Sequence, residues 1–181
     1  SIEFNPELPK YLKDSIKKVG FGTVTKLALK FTDQFWEDDV QYYYTVAKET
    51  GRWPVWMNYR TFSKEKILMG LCMGNYAKKA DFMSNEELIE DGLNVLKNVW
   101  EDDVGEVQNI LRTSWLNDPF TKGAYSFPRV DNSEKDFENL AESIDNKLFF
   151  CGEHTNLEYL ATTHGALFTG IRAAKEVIKA T

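Results

Sequence analysis

Residues 148–178 read LFFCGEHTNLEYLATTHGALFTGIRAAKEVI. A strand-like apolar run, Lys147 to Cys151, meets a Gly152-Glu153 turn, and the spacing then predicts a helix from about Thr163 to Lys179. Gly165, Ala166, Thr169, Gly170, Ala173 and Ala174 recur at helical intervals and form a ridge of small residues. A glycine inside a helix costs about 1 kcal/mol relative to alanine. Two of them imply the close approach of something flat, either tightly packed backbone or a ligand. The first N–H groups of a helix lack partners within it, and Thr162 and Thr163 stand where they can cap them. Such an end favours a carbonyl oxygen or an anion. Glu153, between strand and helix, offers acceptors to sugar-type hydroxyls. Strand end, acceptor and helix start together suit a nucleotide-like or ribityl-bearing cofactor.

Outward from this stretch, Thr25 to Phe31 alternates, with Leu27, Leu29 and Phe31 on one face and Lys26, Ala28 and Lys30 on the other. Period two over this length is a strand. Residues 41–47, 54–59 and 66–73, rich in aromatic and branched side chains, predict further strands joined by short turn-like links, a largely antiparallel meander. Ser84-Asn-Glu-Glu87 is a capping-box pattern opening a helix to about Trp100, with Leu88, Leu93, Leu96 and Val99 inward. Residues 107–113 suit another strand, 113–133 a long aromatic loop of the functional kind, and 133–144 a short helix with Phe137, Leu140 and Ile144 inward. The fold class expected is α+β: a mixed, largely antiparallel sheet with packed helices, plus a final strand-helix unit.

The chain has 181 residues, 22 basic against 28 acidic side chains, and a formal charge of −6. No basic stripe is visible, which disfavours nucleic acid as a partner. No apolar run reaches the roughly 18 residues that cross a bilayer, and the start SIEFNPELPKYLKD lacks the charged-then-apolar order of a signal peptide. The expectation is a cytoplasmic protein with no membrane partner. Cys72 and Cys151 both lie in apolar runs and read as buried reduced thiols. With two histidines and no ligand-spaced cluster, no metal is expected.

GEHT at 152–155, ATTHGA at 161–166 and TG-IRAA at 169–174 resemble the carboxy-terminal signature of the flavin-containing amine oxidases, the family of polyamine oxidases, monoamine oxidases and lysine-specific histone demethylases. GFGTVTK at 20–26 with FTDQFW at 31–36, and TSWLNDPFTKGAYSF at 113–127, resemble two further blocks of that family in the same order. The family's amino-terminal Gly-x-Gly-x-x-Gly fingerprint is absent, since Thr25 stands at the third position after Gly20 and Gly22. The resemblance therefore covers only the later portion of such an enzyme. It implies substrate-domain parts over 1–112, an active-site loop and short helix over 113–146, and the last strand and helix of a Rossmann-like FAD-binding domain over 147–181.

By resemblance, Gly152 and Glu153 lie at the cofactor, with Glu153 holding ribityl or ribose hydroxyls of FAD, and Thr162 and Thr163 face the pyrimidine edge of the flavin. Simple helix capping fits both threonines equally. Lys26 matches the lysine that holds a water beside the flavin, although its strand pattern alone suits a solvent-facing lysine. Trp115 and Phe120 match aromatic positions lining the ring. Tyr125 matches a tyrosine of the substrate cage, and Thr162 stands where monoamine oxidases carry a second cage tyrosine, which points to the polyamine oxidase or demethylase branches. Ala124 replaces the cysteine that bonds flavin covalently in monoamine oxidases, so FAD is expected to be non-covalent. The catalytic candidates are Lys26, Tyr125 and Thr162. The implied reaction is oxidation of an amine, a polyamine foremost, to an imine with O2 reduced to H2O2. The missing amino-terminal half is the implied partner, and the isolated chain is expected to be inactive. An interaction module without catalysis and an amino-acid oxidase on the same scaffold are the alternatives.

Overall fold

The computed structural model describes residues 2–181. Its contacts divide the chain into two compact units: Thr23–Ala124, and the segment up to Gly22 together with Tyr125–Thr181. The fold is α+β, and every strand pairing among the described residues is antiparallel.

In chain order the elements are α1 (Lys10–Lys18), β1 (Gly20–Phe21), β2 (Val24–Phe31), β3 (Tyr42–Tyr44), β4 (Val55–Asn58), β5 (Ile67–Met73), α2 (Gly74–Asp81), α3 (Asn85–Trp100), β6 (Val107–Arg112), β7 (Ser126–Phe127), α4 (Glu134–Ala141) and α5 (Thr163–Ala180).

The Thr23–Ala124 unit is a five-stranded sheet in the order β3-β4-β5-β2-β6. Only β3 to β5 form the expected meander; β2 lies between β5 and β6. The alternation in β2 holds: Thr25, Leu27, Leu29 and Phe31 are buried under α2 and α3, while Lys26 faces out. Each fully buried leucine here contributes about 1.5–3 kcal/mol of transfer free energy. Trp53 and Trp56 are fully buried in the same core, so these two tryptophans serve packing. Their bulk fits because glycine stands opposite. A Cβ at Gly70 would lie 2.9 Å from the Trp56 ring, and one at Gly92 would lie 3.0 Å from Leu27 and 3.2 Å from Trp56. Helix α3 therefore approaches the sheet through Gly92 and Val95, and Val99, expected inward, is exposed. Its capping box forms as read: Ser84 Oγ accepts from the Glu87 N–H (3.2 Å) and Glu87 Oε2 from the Ser84 N–H (2.7 Å). Burial pushes the Cys72 thiol up to about 12.

The other unit packs α1 on α4, with Ser15 Oγ donating to Asp136 (3.1 Å) and the Asn139 amide donating to Ser15 Oγ (2.9 Å). Phe137 and Leu140 are buried as expected. Residues 147–151, expected as a buried strand, form none: Ile144 and Leu148 make an isolated bridge, and Cys151 is exposed. A strand needs a neighbour for its N–H and C=O groups, and among the described residues no strand runs beside this one. The segment is fixed instead by α5. Thr169 Oγ1 accepts from the Gly152 N–H (3.0 Å), and Arg172 donates to the carbonyls of Phe150 (2.8 Å) and Ala141 (2.7 Å).

The small ridge of α5 serves two purposes. Gly165, Thr169 and Ala173 are buried, and a Cβ at Gly165 would meet the Tyr159 carbonyl oxygen at 2.2 Å. There the chain's own backbone explains the glycine. At Gly170 no heavy atom lies within 4 Å of such a Cβ.

Substitution separates the two kinds of glycine. Gly70→Ala is expected to overpack Trp56 and cost about 1–3 kcal/mol, whereas Gly170→Ala is expected to stabilise by about 0.5–1 kcal/mol through helix propensity. Chemical denaturation of the two variants checks both signs.

Candidate functional site

Of the residues singled out in the sequence, Lys26, Trp115, Phe120 and Ala124 belong to the sheet unit, and Tyr125, Gly152, Glu153, Thr162 and Thr163 to the helical unit.

In the sheet unit, Lys26 is pinned by its backbone. Its N–H donates to Thr113 Oγ1 (2.9 Å) and its carbonyl accepts from the Thr113 N–H (3.0 Å), which leaves the ammonium group on the open sheet face. Ala28 and Lys30 share that face and border a cavity of about 360 Å³ with Tyr59, Ile67 and Leu111. The loop after β6 is less irregular than its sequence suggests. Buried Asp81 anchors its start, accepting from the Asn117 N–H (2.7 Å) and Ser114 Oγ (3.2 Å). Arg112 reaches back to the carbonyls of Met83 (2.6 Å) and Asp81 (3.2 Å). The Trp115 carbonyl then closes the loop by accepting from Thr121 Oγ1 (2.7 Å) and the Gly123 N–H (3.0 Å). Asp118 turns the chain by accepting the N–H groups of Thr121 and Phe120, and those bonds hold its carboxyl below the usual range.

The aromatic faces remain uncovered within each unit. Trp115 is 45% exposed, Phe120 94% and Tyr125 42%. Ala124 is half-buried and offers no nucleophile.

In the helical unit, Glu153 gathers the others. Its Oε1 accepts from the Ser126 N–H (2.8 Å), and its Oε2 accepts from Ser126 Oγ (2.7 Å) and the Ala161 N–H (2.8 Å). The residues beside these donors are Tyr125 and Thr162. Thr162 is the N-cap of α5: its Oγ1 accepts from the Gly165 N–H (3.0 Å) and donates to the Tyr159 carbonyl (2.7 Å). The capping reading of Thr162 is thus satisfied in full, and Thr163 is the first helical residue. Glycine is the residue type that suits position 152, where φ is +135° and a Cβ would lie 2.7 Å from the His154 ring. Ser126 and Ala161 are the residues that sequence reading misses; backbone donors leave no trace in residue type.

A cavity of about 310 Å³ lies in this unit, lined by apolar side chains including Leu12, Phe21 and Phe150, with Glu153 and His154 at its wall. Burial lowers the His154 pKa, against a smaller opposing pull from Glu153.

Each unit carries groups that suit a flavin. The sheet unit offers open aromatic faces for the ring. The helical unit offers a carboxylate with acceptor capacity beyond its three bonds and a capped helix start for the polar edge and polyol. The comparisons with known proteins then settle the class. Residues 1–178 match the family described as flavin containing amine oxidoreductase, and the chain belongs to it. Among curated relatives it is 34% identical to lysine-specific histone demethylase 1 homolog 2 of Oryza sativa subsp. japonica, over 99% of this chain and 24% of the relative. It is 32% identical to lysine-specific histone demethylase 1 homolog 1 of Arabidopsis thaliana, over 99% and 22%, and 35% identical to Protein FLOWERING LOCUS D of the same plant, over 96% and 23%. The chain therefore spans about a quarter of the length of these relatives. No helix among the described residues is long and apolar enough to cross a membrane.

His154 sets an acid limit. A neutral imidazole favoured by burial contributes stability above its unfolded pKa of about 6.5, lost as pH falls from there through the lowered folded value. Thermal melts of the wild type between about pH 7.5 and 5 are expected to decline more steeply than those of His154→Gln.

Proposed function

We propose that the chain is the carboxy-terminal part of an FAD-dependent amine oxidase that oxidises the C–N bond of a cationic alkyl amine, a polyamine or a methylated lysine side chain. The supporting observation is the family match across nearly the whole chain; the roles of Lys26, Tyr125, Glu153 and Thr162 are those that the resemblance of their motifs implies. The names of the relatives favour lysine methylamine; the chemistry of the amine is shared by both substrates.

Glu153, Thr162, Thr163, Trp115 and Phe120 would hold FAD, which would supply two-electron oxidation of the amine to an imine, with O2 as the final acceptor giving H2O2 and water hydrolysing the imine. The chain's own residues prepare this. Tyr125 presents an open aromatic face that orients an alkylammonium on arrival, and the amine must shed its proton before its carbon can lose hydride. Thr162 spends its hydroxyl on the cap, so it contributes a small wall and no second ring. Lys26, its backbone held by Thr113, keeps a cationic Nζ free to hold a water for the oxygen reaction. Trp115 and Phe120 supply faces for the ring, and Glu153 has one acceptor site left for a polyol hydroxyl.

In this reading residues 1–112 belong to the substrate side, 113–146 carry the active-site loop and short helix, and 147–181 complete the cofactor side. The partner is the preceding half of the same enzyme. Leu167, Phe168, Ile171 and Ile178 give α5 an uncovered apolar face for it to pack against.

Two outcomes test the proposal in the intact enzyme. Flavin absorbance is expected to pass entirely into the supernatant on acid precipitation, because Ala124 cannot form a thioether; colour retained in the pellet contradicts this. Lys26→Met is expected to slow reoxidation by O2 by about 10²-fold with anaerobic flavin reduction by amine little changed, and stopped-flow absorbance separates the two steps. Comparing spermine with a dimethyl-lysine peptide assigns the substrate.

A further inference from the structure

We infer that Glu153 is a positioning residue for the amine-binding wall: one carboxylate ties β7, beside Tyr125, to the loop entering α5, beside Thr162. The inference rests on the reading above, in which Tyr125 and Thr162 line the substrate, and it gives Glu153 a task apart from any contact with cofactor.

The geometry is specific. Both groups of Ser126, N–H and hydroxyl, donate to Glu153, one to each oxygen, and the hydroxyl shares Oε2 with the Ala161 N–H. Ser126 is buried and pairs with Phe21 in the β1–β7 ladder, while the Tyr125 carbonyl accepts from the Gly22 N–H (2.7 Å). Tyr125 is therefore held by the end of β1 through its own carbonyl and by Glu153 through its neighbour.

On the other side, Ala161 occupies the left-handed region at φ +59°, a conformation that disfavours a residue with a Cβ. The Glu153 bond is what its N–H receives in return. The next residue, Thr162, swings to an extended conformation (φ −118°, ψ 152°) and caps α5. Its hydroxyl is bonded to the Tyr159 carbonyl, which already crowds Gly165. The bond from the Ala161 N–H to Glu153 joins this loop to Ser126 of β7.

Glutamine at 153 cannot reproduce this. Whichever way the amide is turned, its NH2 faces one of two backbone N–H donors, Ser126 or Ala161. Ser126→Ala removes one bond to Oε2 and leaves the carboxylate itself in place.

The test uses the intact enzyme with wild type, Glu153→Gln and Ser126→Ala, read by hydrogen exchange of peptides spanning 158–164 and 124–128, flavin content and amine steady-state kinetics. Positioning predicts that exchange over 158–164 rises about tenfold in Glu153→Gln, the equivalent of one lost hydrogen bond, and rises measurably in Ser126→Ala. It also predicts a several-fold higher amine KM in both, with kcat changed less and Ser126→Ala fully loaded with flavin. Unchanged exchange in both variants, with flavin lost only from Glu153→Gln, overturns the inference and leaves Glu153 a cofactor contact. Should Glu153→Gln fail to fold, Ser126→Ala decides alone by the same readouts. A wild type without flavin or amine turnover sinks the functional reading instead, and the exchange comparison still decides the tie.

Discussion

The helical unit depends on a substitution of one kind of bond for another: around residues 150–155, side chains take the place of a strand neighbour. Phe150 and Gly152 carry backbone groups that a sheet would ordinarily satisfy. Here Arg172 serves the Phe150 carbonyl and Thr169 the Gly152 N–H, both from α5. Glu153 then extends the same scheme outward to Ser126 and Ala161. A buried backbone group left unpaired costs about as much as a lost hydrogen bond, so the position of α5 and the course of this segment are set together. The small residues of the helix follow: Gly165 admits the Tyr159 carbonyl, and Thr169 is small enough to be buried yet polar enough to bond.

The sheet unit rests on steric matching. Trp56 sits between two glycines, Gly70 on the adjacent strand and Gly92 on the helix above, and the same approach brings Leu27 under α3. Asp91 secures the neighbouring edge, accepting from Trp53 Nε1 and the Tyr76 hydroxyl (2.6 Å each) and pairing with Arg52 (2.7 Å). Desolvation and the bond to Asp91 raise the Tyr76 pKa, so the phenol stays a donor. This rigid base is what holds β2, and thus Lys26, at a fixed height on the open face.

Much of this can be read from residue order, for identifiable reasons. The β2 alternation, the Ser84 capping box and the extent of α5 are local signals, written within one or two turns of chain. Helix α1 escapes such reading because KYLKDSIKK buries only Leu12 and Ser15, too little to mark a period, and α2 because it begins at a glycine with φ +62°. The run at 147–151 misleads for the opposite reason: its apolar character is plain, but pairing is decided by a neighbour and not by the segment. The exposure of Lys26 follows from period two. The partners of Glu153 are donors on Ser126 and Ala161, distant along the chain and mostly backbone, so no pattern of side chains reveals them. The family resemblance comes from short motifs, and several residues of those motifs, among them Ser114, Ser126, Glu153 and Ala161, take part in the bonds that hold loops in place.

That coincidence has a physical basis. Asp81 in one unit and Glu153 in the other do the same work: each carboxylate collects a backbone N–H and a serine hydroxyl from segments that carry a residue of the candidate site. A carboxylate is suited to this because its two oxygens can accept about four bonds, and charge-assisted bonds are stronger than neutral ones. Loops that, in the proposed function, present Trp115, Tyr125 or Thr162 to a ligand cannot also bury those side chains to gain rigidity. Fixing the backbone close by resolves the conflict. The side chain stays open while the backbone beside it is bonded.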